Sequence, residues 1–324
     1  MNYRNLGRSG LTVSELCLGT MNFGPQADIP TSHAIMDTAL DLGINFFDTA
    51  DRYGGDKTNL GWTEEIMGEW FSQDSSRREK VVLATKLYVE MKAYPNNSGL
   101  SALHIRRACE ASLKRLKVDY IDIYQMHHID RATPWDEIWQ AMDVLVQQGK
   151  ILYVGSSNFG GWHIAQAQEA ARARHFMGLI SEQSIYNLLK RDIEREVIPA
   201  SLHYGLGILP WSPLNGGILG GVIKKERDGK RRLNPEAAAH VEKIRPQLQA
   251  YEDYCDSLGH EPADVALAWL LAQPAVSSPI IGPRTIDQLK ASMPAIDVKL
   301  RAEDLTALND IFPGFKPAPE DYAW

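Results

Sequence analysis

Short apolar runs recur along the chain, and each is followed by a stretch whose apolar residues return with helical spacing. The runs cover residues 15–19, 45–49, 81–85, 121–126, 151–155, 179–183, 207–210 and 279–282. Most lack strict polar alternation, the pattern of parallel strands covered on both faces. Residues 101–117 predict a helix with Leu103, Ala108, Ala111, Leu113 and Leu116 near one face. That leaves Arg106, Arg107, Lys114 and Arg115 to water. A second helix is predicted over 134–148, with Pro134 at its start and Gly149 after its end.

Eight strand–helix units at intervals of roughly 25 to 40 residues predict parallel pairing through crossover helices. A doubly wound sheet would normally carry Gly-x-Gly-x-x-Gly after its first strand, whereas this chain reads Gly19-Thr20-Met21-Asn22-Phe23-Gly24. A closed (β/α)8 TIM barrel over residues 1–324, as one domain, is therefore the expected fold. An N-terminal β-hairpin and extra C-terminal helices with a tail complete it. No linker or low-complexity tract divides the chain, and 215–234 is the one long stretch read as irregular.

Composition removes several classes. The 324 residues are 44% hydrophobic, ample for a large core, so a disordered chain is excluded. With 34 basic and 41 acidic residues the net charge is −7, which gives no global attraction to nucleic acid. Cys17, Cys109 and Cys255 are odd in number and widely spaced, as in a reduced cytoplasmic chain. The opening Met1-Asn2-Tyr3-Arg4 has no apolar core of a leader, and no run approaches a membrane span.

In such a barrel, function collects at the C-terminal ends of the strands. Reading those ends gives Asp48, Lys86, His127, Ser157, Asn158, Gln183, Trp211 and Ser212. Taken singly, Asp48 reads equally well as a turn cap, Lys86 as a rim lysine and His127 as a bonded core histidine. Charged groups ending apolar strands are costly unless paired, so their convergence at one mouth is the informative feature. Neighbours His127 and His128 point to opposite faces of a strand, which disfavours a shared metal.

Six segments, in order, resemble the aldo-keto reductase family, nearly end to end, in the branch that contains potassium-channel beta subunits and bacterial reductases. They are the opening Tyr3 to Ser14, Asp48-Thr49-Ala50-Asp51-Arg52-Tyr53, Ala84-Thr85-Lys86, Tyr124-Gln125-Met126-His127, Gly155-Ser156-Ser157-Asn158-Phe159 and Trp211-Ser212-Pro213-Leu214. The resemblance implies NADPH-dependent reduction of an aldehyde or ketone, with Asp48, Tyr53, Lys86 and His127 as the catalytic set. Tyr53 is the implied acid. A lysine beside it favours the phenolate, and a pKa lowered by ~2 to 3 units equals roughly 3 to 4 kcal/mol. His127, in place of the glutamate some relatives carry for reducing enones, implies carbonyl reduction.

For the cofactor, the resemblance places the nicotinamide against Ser157, Asn158 and Gln183, with Trp211 stacked on its face. Gly19, Thr20 and Met21 line the same groove, while Ser212, Pro213, Leu214, Gly217 and Gly221 wrap the pyrophosphate. The usual loop lysine is missing, since Gly221-Val222-Ile223 stands where Gly-Lys-Tyr is common, and Lys224 or Lys225 are the candidate substitutes. Gly282, Arg284, Gln288 and Ser292 match the adenosine-phosphate segment. Arg284 faces the 2′-phosphate there, favouring NADP, and Ser292 replaces a common asparagine.

Met21, Phe23, Trp62, Tyr88, His128 and Phe159 are expected to line the substrate pocket, with 56–62 and the tail 313–324 shaping its opening. The resemblance implies a keto-sugar or a polyketide ketone as substrate, and a tetramer or octamer as assembly. Two rival classes stand beside it. One is an NADPH-binding sensor subunit with weak turnover. The other is a metal-dependent barrel hydrolase or lyase using His127, His128 and Asp51.

Overall fold

A computed structural model describes residues 1–56, 58–229 and 235–323. Lys57, residues 230–234 and Trp324 fall outside these, so the predicted opening segment 56–62, the irregular stretch 215–234 and the tail are described only in part. The chain opens with a hairpin, β1 (Tyr3–Asn5) and β2 (Thr12–Ser14), paired antiparallel with Tyr3 opposite Ser14. The next strands are β3 (Cys17–Gly19), β4 (Phe46–Asp48), β5 (Val82–Leu87), β6 (Ile121–Met126), β7 (Ile151–Ser157), β8 (Leu179–Ile185), β9 (Gly207–Trp211) and β10 (Ile280–Ile281). All eight pair in parallel, in chain order, with β10 beside β3. Each predicted run coincides with one strand.

Backbone hydrogen bonds bring the sheet round on itself. Ile208 N–H donates to Ala275 O at 2.8 Å, Ser277 N–H to Ile208 O at 2.9 Å and Cys17 N–H to Pro279 O at 3.0 Å. An open doubly wound sheet has no such contact between its first and last strands. The fold is therefore the (β/α)8 barrel.

Side-chain alternation divides the barrel into an apolar lower interior and a polar upper one. Leu6 and Val13 of the hairpin segment join Cys17, Phe46, Ala84, Ile123, Ile180, Leu209 and Ile280 in one buried cluster that fills the N-terminal end. Gly7 lets the hairpin sit this close. Its φ is +54°, and a Cβ there would lie 2.5 Å from Gly205 O. Two residues further along β4, β5 and β6, the same inward face presents Asp48, Lys86 and Gln125. The outward face packs against the helices in a second, larger core that includes Phe47, Leu83, Tyr124 and Met126.

Helices appear where predicted, with three differences. Ala102–Leu116 is capped by Ser101, whose hydroxyl accepts from His104 N at 3.3 Å. Leu103 was expected on its buried face but is 43% exposed. Ile105, Ala108, Cys109, Ser112 and Leu116 form the inward ridge instead, and Leu103 lies off it. Arg115 is drawn inward too, because its Nε donates at 2.7 Å to Glu64, a fully buried carboxylate on helix Trp62–Gln73. Trp135–Gln147 begins after Pro134 and ends before Gly149, which has φ +69°. Within 215–234, residues Val222–Arg227 form a short helix, contrary to the irregular reading. Gly221, at φ +83°, caps it.

Glu64 oxygens take Thr85 Oγ1 at 2.6 Å and Arg115, so this carboxylate ties β5 to two helices. Removing one partner of a buried pair leaves a charge without compensation. Arg115→Ala should cost about 3–5 kcal/mol in urea unfolding. Arg172→Ala, which breaks an exposed pair at 3.8 Å, should change stability by under about 0.5 kcal/mol. Equal losses would show that Glu64 is not held by Arg115.

Candidate active site

Four strand ends place one connected polar group inside the upper barrel. Lys86, on β5, is fully buried. Its ammonium has three protons and three acceptors: Asp48 Oδ2 at 2.6 Å, Thr49 O at 2.9 Å and Tyr53 OH at 3.2 Å. Because every lysine proton is directed, the phenol oxygen is an acceptor from Lys86, and the phenol's own proton is left for another partner. Tyr53 follows β4 by one turn, its N–H donating to Ala50 O at 3.1 Å. Asp48 Oδ1 in turn accepts from Gln125 Nε2 at 2.9 Å and Gln183 Nε2 at 2.8 Å.

The electrostatics follow from burial. Desolvation alone would push the Lys86 ammonium down, but Asp48 and Tyr53 beside it outweigh that and hold it above the usual lysine value. Tyr53 departs from expectation. Burial raises its pKa, and Lys86, which pulls the other way, does not overcome it. In the chain alone the phenol is thus a neutral proton donor rather than a partly ionised one. His127 stands edge-on to Tyr53, with ring centroids 5.9 Å apart. Burial, then Lys86, Arg52 and His128, push its pKa down to about 2, so its imidazole is neutral. Its Nδ1 is buried without a partner.

The predicted nicotinamide set adjoins this group. Asn158, with φ +59°, donates to Ser157 Oγ at 3.0 Å and to His127 O at 3.4 Å. Its Oδ1 accepts from Trp211 Nε1 at 3.1 Å. Ser157 Oγ donates to Gln183 O at 2.9 Å. On the other side of the mouth, Thr20 Oγ1 donates to Asp48 O at 2.9 Å, next to buried Gly19 and the 59%-exposed Met21. Ser212 has φ +54°, and Pro213 and Leu214 lead into Gly217, φ +85°, in a tight left-handed run. Asn22 Nδ2 donates to Gly282 O at 2.8 Å, joining the first and last strand ends.

Beyond Gly282, Gln288 Oε1 accepts from Arg284 N at 2.9 Å, and Ser292 Oγ donates to Gln288 O at 3.1 Å. The exposed Arg284 guanidinium makes no hydrogen bond or ion pair among the described residues. Neither candidate loop lysine is free in the same way. Lys224 Nζ lies 3.5 Å from Asp256, and Lys225 Nζ donates to Gly220 O.

Two expected pocket residues are elsewhere. Phe23 is fully buried in the outer core, and Phe159, 3% exposed, packs in the same core against Trp135 and His163. Their apolar bulk is drawn under the helices, where more of it leaves water. Trp62 is half-buried, and its ring sits where a Cβ on Gly24 would come within 2.6 Å. Tyr88 and His128 pair at the mouth with ring centroids 5.4 Å apart. The described part of the tail docks on the loop that follows β8, where Arg195 pairs with Asp321 at 2.8 Å and lies over the Phe315 ring.

Sequence reading missed Gln125 and Glu182. Gln125 lay in a quoted motif, and its signal was the period of two that puts it on the same face as Lys86 and Asp48. Glu182 is fully buried and accepts from Ser184 Oγ at 2.7 Å, Phe159 N at 3.1 Å and Ser156 Oγ. It therefore holds the turn that carries Asn158. No signal in the sequence separates it from an exposed glutamate.

A family sequence model, described as the aldo/keto reductase family, matches residues 15–312. The chain belongs to that family and is an oxidoreductase by that membership. It is 54% identical over 330 residues to the uncharacterized oxidoreductase YrpG of Bacillus subtilis, with both chains covered in full. It is 36% identical over 307 residues to a probable voltage-gated potassium channel subunit beta of Arabidopsis thaliana, covering 92% of each. A versiconal hemiacetal acetate reductase of Aspergillus parasiticus is 32% identical over 339 residues, covering 96% of each.

Burial pushes the Glu182 carboxyl up to about 7, against the donors that favour its charged form. The folded chain thus holds this proton more tightly than an unfolded one with a pKa near 4.5. Its contribution is complete below that unfolded value and is lost as pH rises through about 7. Glu182→Gln should flatten the fall in urea midpoint across that interval, by about 1 kcal/mol per pH unit. Parallel slopes for parent and variant would remove Glu182 as the source.

Proposed function

We propose that this chain reduces an aldehyde or ketone to an alcohol with NADPH, Tyr53 donating the proton. The observation that carries the reading is the saturated Lys86 ammonium, which leaves the Tyr53 proton as the one directed outward. Tyr53 holds its proton at neutral pH, and Lys86 stabilises the phenolate that forms as the proton leaves for the carbonyl oxygen. Asp48 keeps the lysine charged and aimed. Neutral His127 serves as a hydrogen-bond donor that orients the carbonyl, as suits a group whose pKa is about 2.

The residues present suit a dinucleotide. Arg284 offers a guanidinium without a partner among the described residues, which matches a 2′-phosphate. Gly19, Thr20, Met21, Ser157, Asn158, Gln183 and Trp211 would hold the nicotinamide end. Ser212, Pro213, Leu214, Gly217 and Gly221 would follow the pyrophosphate, with Gly282, Gln288 and Ser292 at the adenosine end. The bound cofactor supplies the hydride that no protein side chain can.

For substrate, the exposed Met21, the half-buried Trp62 and the Tyr88–His128 pair suit a flat or bulky carbonyl compound with one polar edge. A polycyclic polyketide ketone or a keto-sugar fits that description. The relative named as a hemiacetal acetate reductase supports carbonyl reduction for either, since a hemiacetal is a masked carbonyl. A panel of simple aldehydes, keto-sugars and polycyclic ketones, followed by NADPH consumption, tests the reading. It is overturned if none is reduced.

On the best substrate, Tyr53→Phe should lower kcat by about 10²–10⁴-fold while NADPH affinity stays within about threefold. Near-normal turnover would remove Tyr53 from the chemistry. Arg284→Ala should weaken NADPH about tenfold or more and NADH hardly at all, measured by fluorescence titration. Equal losses for both would argue against the 2′-phosphate contact.

A further inference from the structure

We infer that Gln125 is a positioning residue for the Tyr53 proton, acting through Asp48 and Lys86; its kinetic readout rests on the reductase reading above. Gln125 is fully buried on the inward face of β6 and touches none of the groups proposed to meet carbonyl or cofactor except Gln183. Its Nε2 donates to Asp48 Oδ1 at 2.9 Å, the oxygen that Gln183 Nε2 also reaches at 2.8 Å. The two amides meet each other as well, Gln183 Nε2 lying 3.3 Å from Gln125 Oε1.

The Asp48 carboxylate is therefore clamped on both sides. One oxygen faces the Lys86 ammonium at 2.6 Å, and the other faces two amide N–H dipoles. Only a hydrogen-bond donor suits that place, since an acceptor oxygen turned toward the carboxylate would repel it. Take away the Gln125 donor, and Gln183 alone holds that oxygen, so Asp48 is held less firmly against turning about its side-chain torsion. Lys86 then loses the fixed direction that aims its third proton at Tyr53 OH, already the longest of its contacts at 3.2 Å.

Room for this side chain is built into the neighbouring strand. Gly155 on β7 stands opposite Gln125 in register. A Cβ at Gly155 would lie 3.1 Å from Gln125 Cγ and 2.6 Å from Ser181 Oγ. A glycine inside a strand is unfavourable unless something must approach closely, and here the glutamine stem does.

The test compares the parent with Gln125→Met and Gln125→Glu, using Tyr53→Phe as the reference for phenol absorbance. Gln125→Met should lower kcat about tenfold at every pH, with KM within about threefold. In Gln125→Glu the new carboxyl would face Asp48 from β4, Lys86 from β5 and Cys17 from β3, with Tyr53, Arg52 and His127 beyond. Burial and Asp48 raise its pKa, while Lys86, already paired, lowers it less. At low pH it is protonated and donates to Asp48, so the rate stays within about threefold of the parent; as pH rises it takes on charge and the rate falls about tenfold.

Ultraviolet titration of the Tyr53 phenolate gives a readout independent of turnover. Tyr53 should ionise at higher pH in Gln125→Met than in the parent, and higher still in Gln125→Glu, because the negative charge near Lys86 is less neutralised. The inference is overturned if both variants keep the parent's kcat, pH profile and phenolate titration. It is equally overturned if Gln125→Glu loses activity by the same factor at all pH values with an unmoved phenolate, the signature of packing alone. The glutamate variant is nearly isosteric, so it decides the matter should the methionine variant fail to fold. If the parent reduces no carbonyl, the reductase reading falls, and the phenolate titration still decides the role of Gln125.

Discussion

A lysine ammonium with no exposed surface is the constraint around which the rest of the molecule is arranged. Burying such a charge costs several kcal/mol unless its protons and its countercharge are all supplied. Lys86 meets that demand with a carboxylate, a backbone carbonyl and a phenol, each arriving from the segment at and after β4. The carboxylate makes the same demand in turn and meets it with two amides from β6 and β8. The acid chemistry of Tyr53 is thus a consequence of how a buried charge is satisfied.

The barrel makes this arrangement affordable by separating two environments along one axis. Its lower interior is apolar and closed by the hairpin segment that carries Leu6 and Val13. That rigid floor lets parallel strands of short length hold their register to the top, where side chains of neighbouring strands must meet within hydrogen-bond distance. Away from this group, buried Glu64 on a helix and Glu182 on β8 do similar work in two different ways. Glu64 is paired with Arg115 and stays in the ridge between helices. Glu182 meets no cation among the described residues, is pushed up to about 7 by burial, and secures the Asn158 turn with neutral donors.

Family membership and geometry support each other at different levels. Relatives in the same family carry names as different as a channel subunit and a hemiacetal reductase. The barrel itself therefore does not choose among roles. What bears on this chain is local: a phenol that keeps its proton, a neutral imidazole edge-on to it, and, past the last strand, a guanidinium with no partner among the described residues. Among the described residues no three metal-ligating side chains gather in one place, and no helix is long and apolar enough to cross a membrane.

The linear pattern of the chain determined the eight strands and their order, because strand ends are set by local apolar runs and the mouth collects whatever follows them. It put Asp48, Lys86 and His127 at strand ends, whereas Tyr53 was reached only through the resemblance to a family. Only the tertiary structure decided which polar neighbours complete them. Gln125 gains its meaning from a partner on another strand, and Glu182 from burial that its own segment does not announce. Phe23 and Phe159 looked like pocket walls by position, yet packing drew them under the helices. The sign of the Tyr53 shift was settled the same way: a sequence shows that a lysine is near, but the competing cost of desolvation depends on how completely three dimensions exclude water.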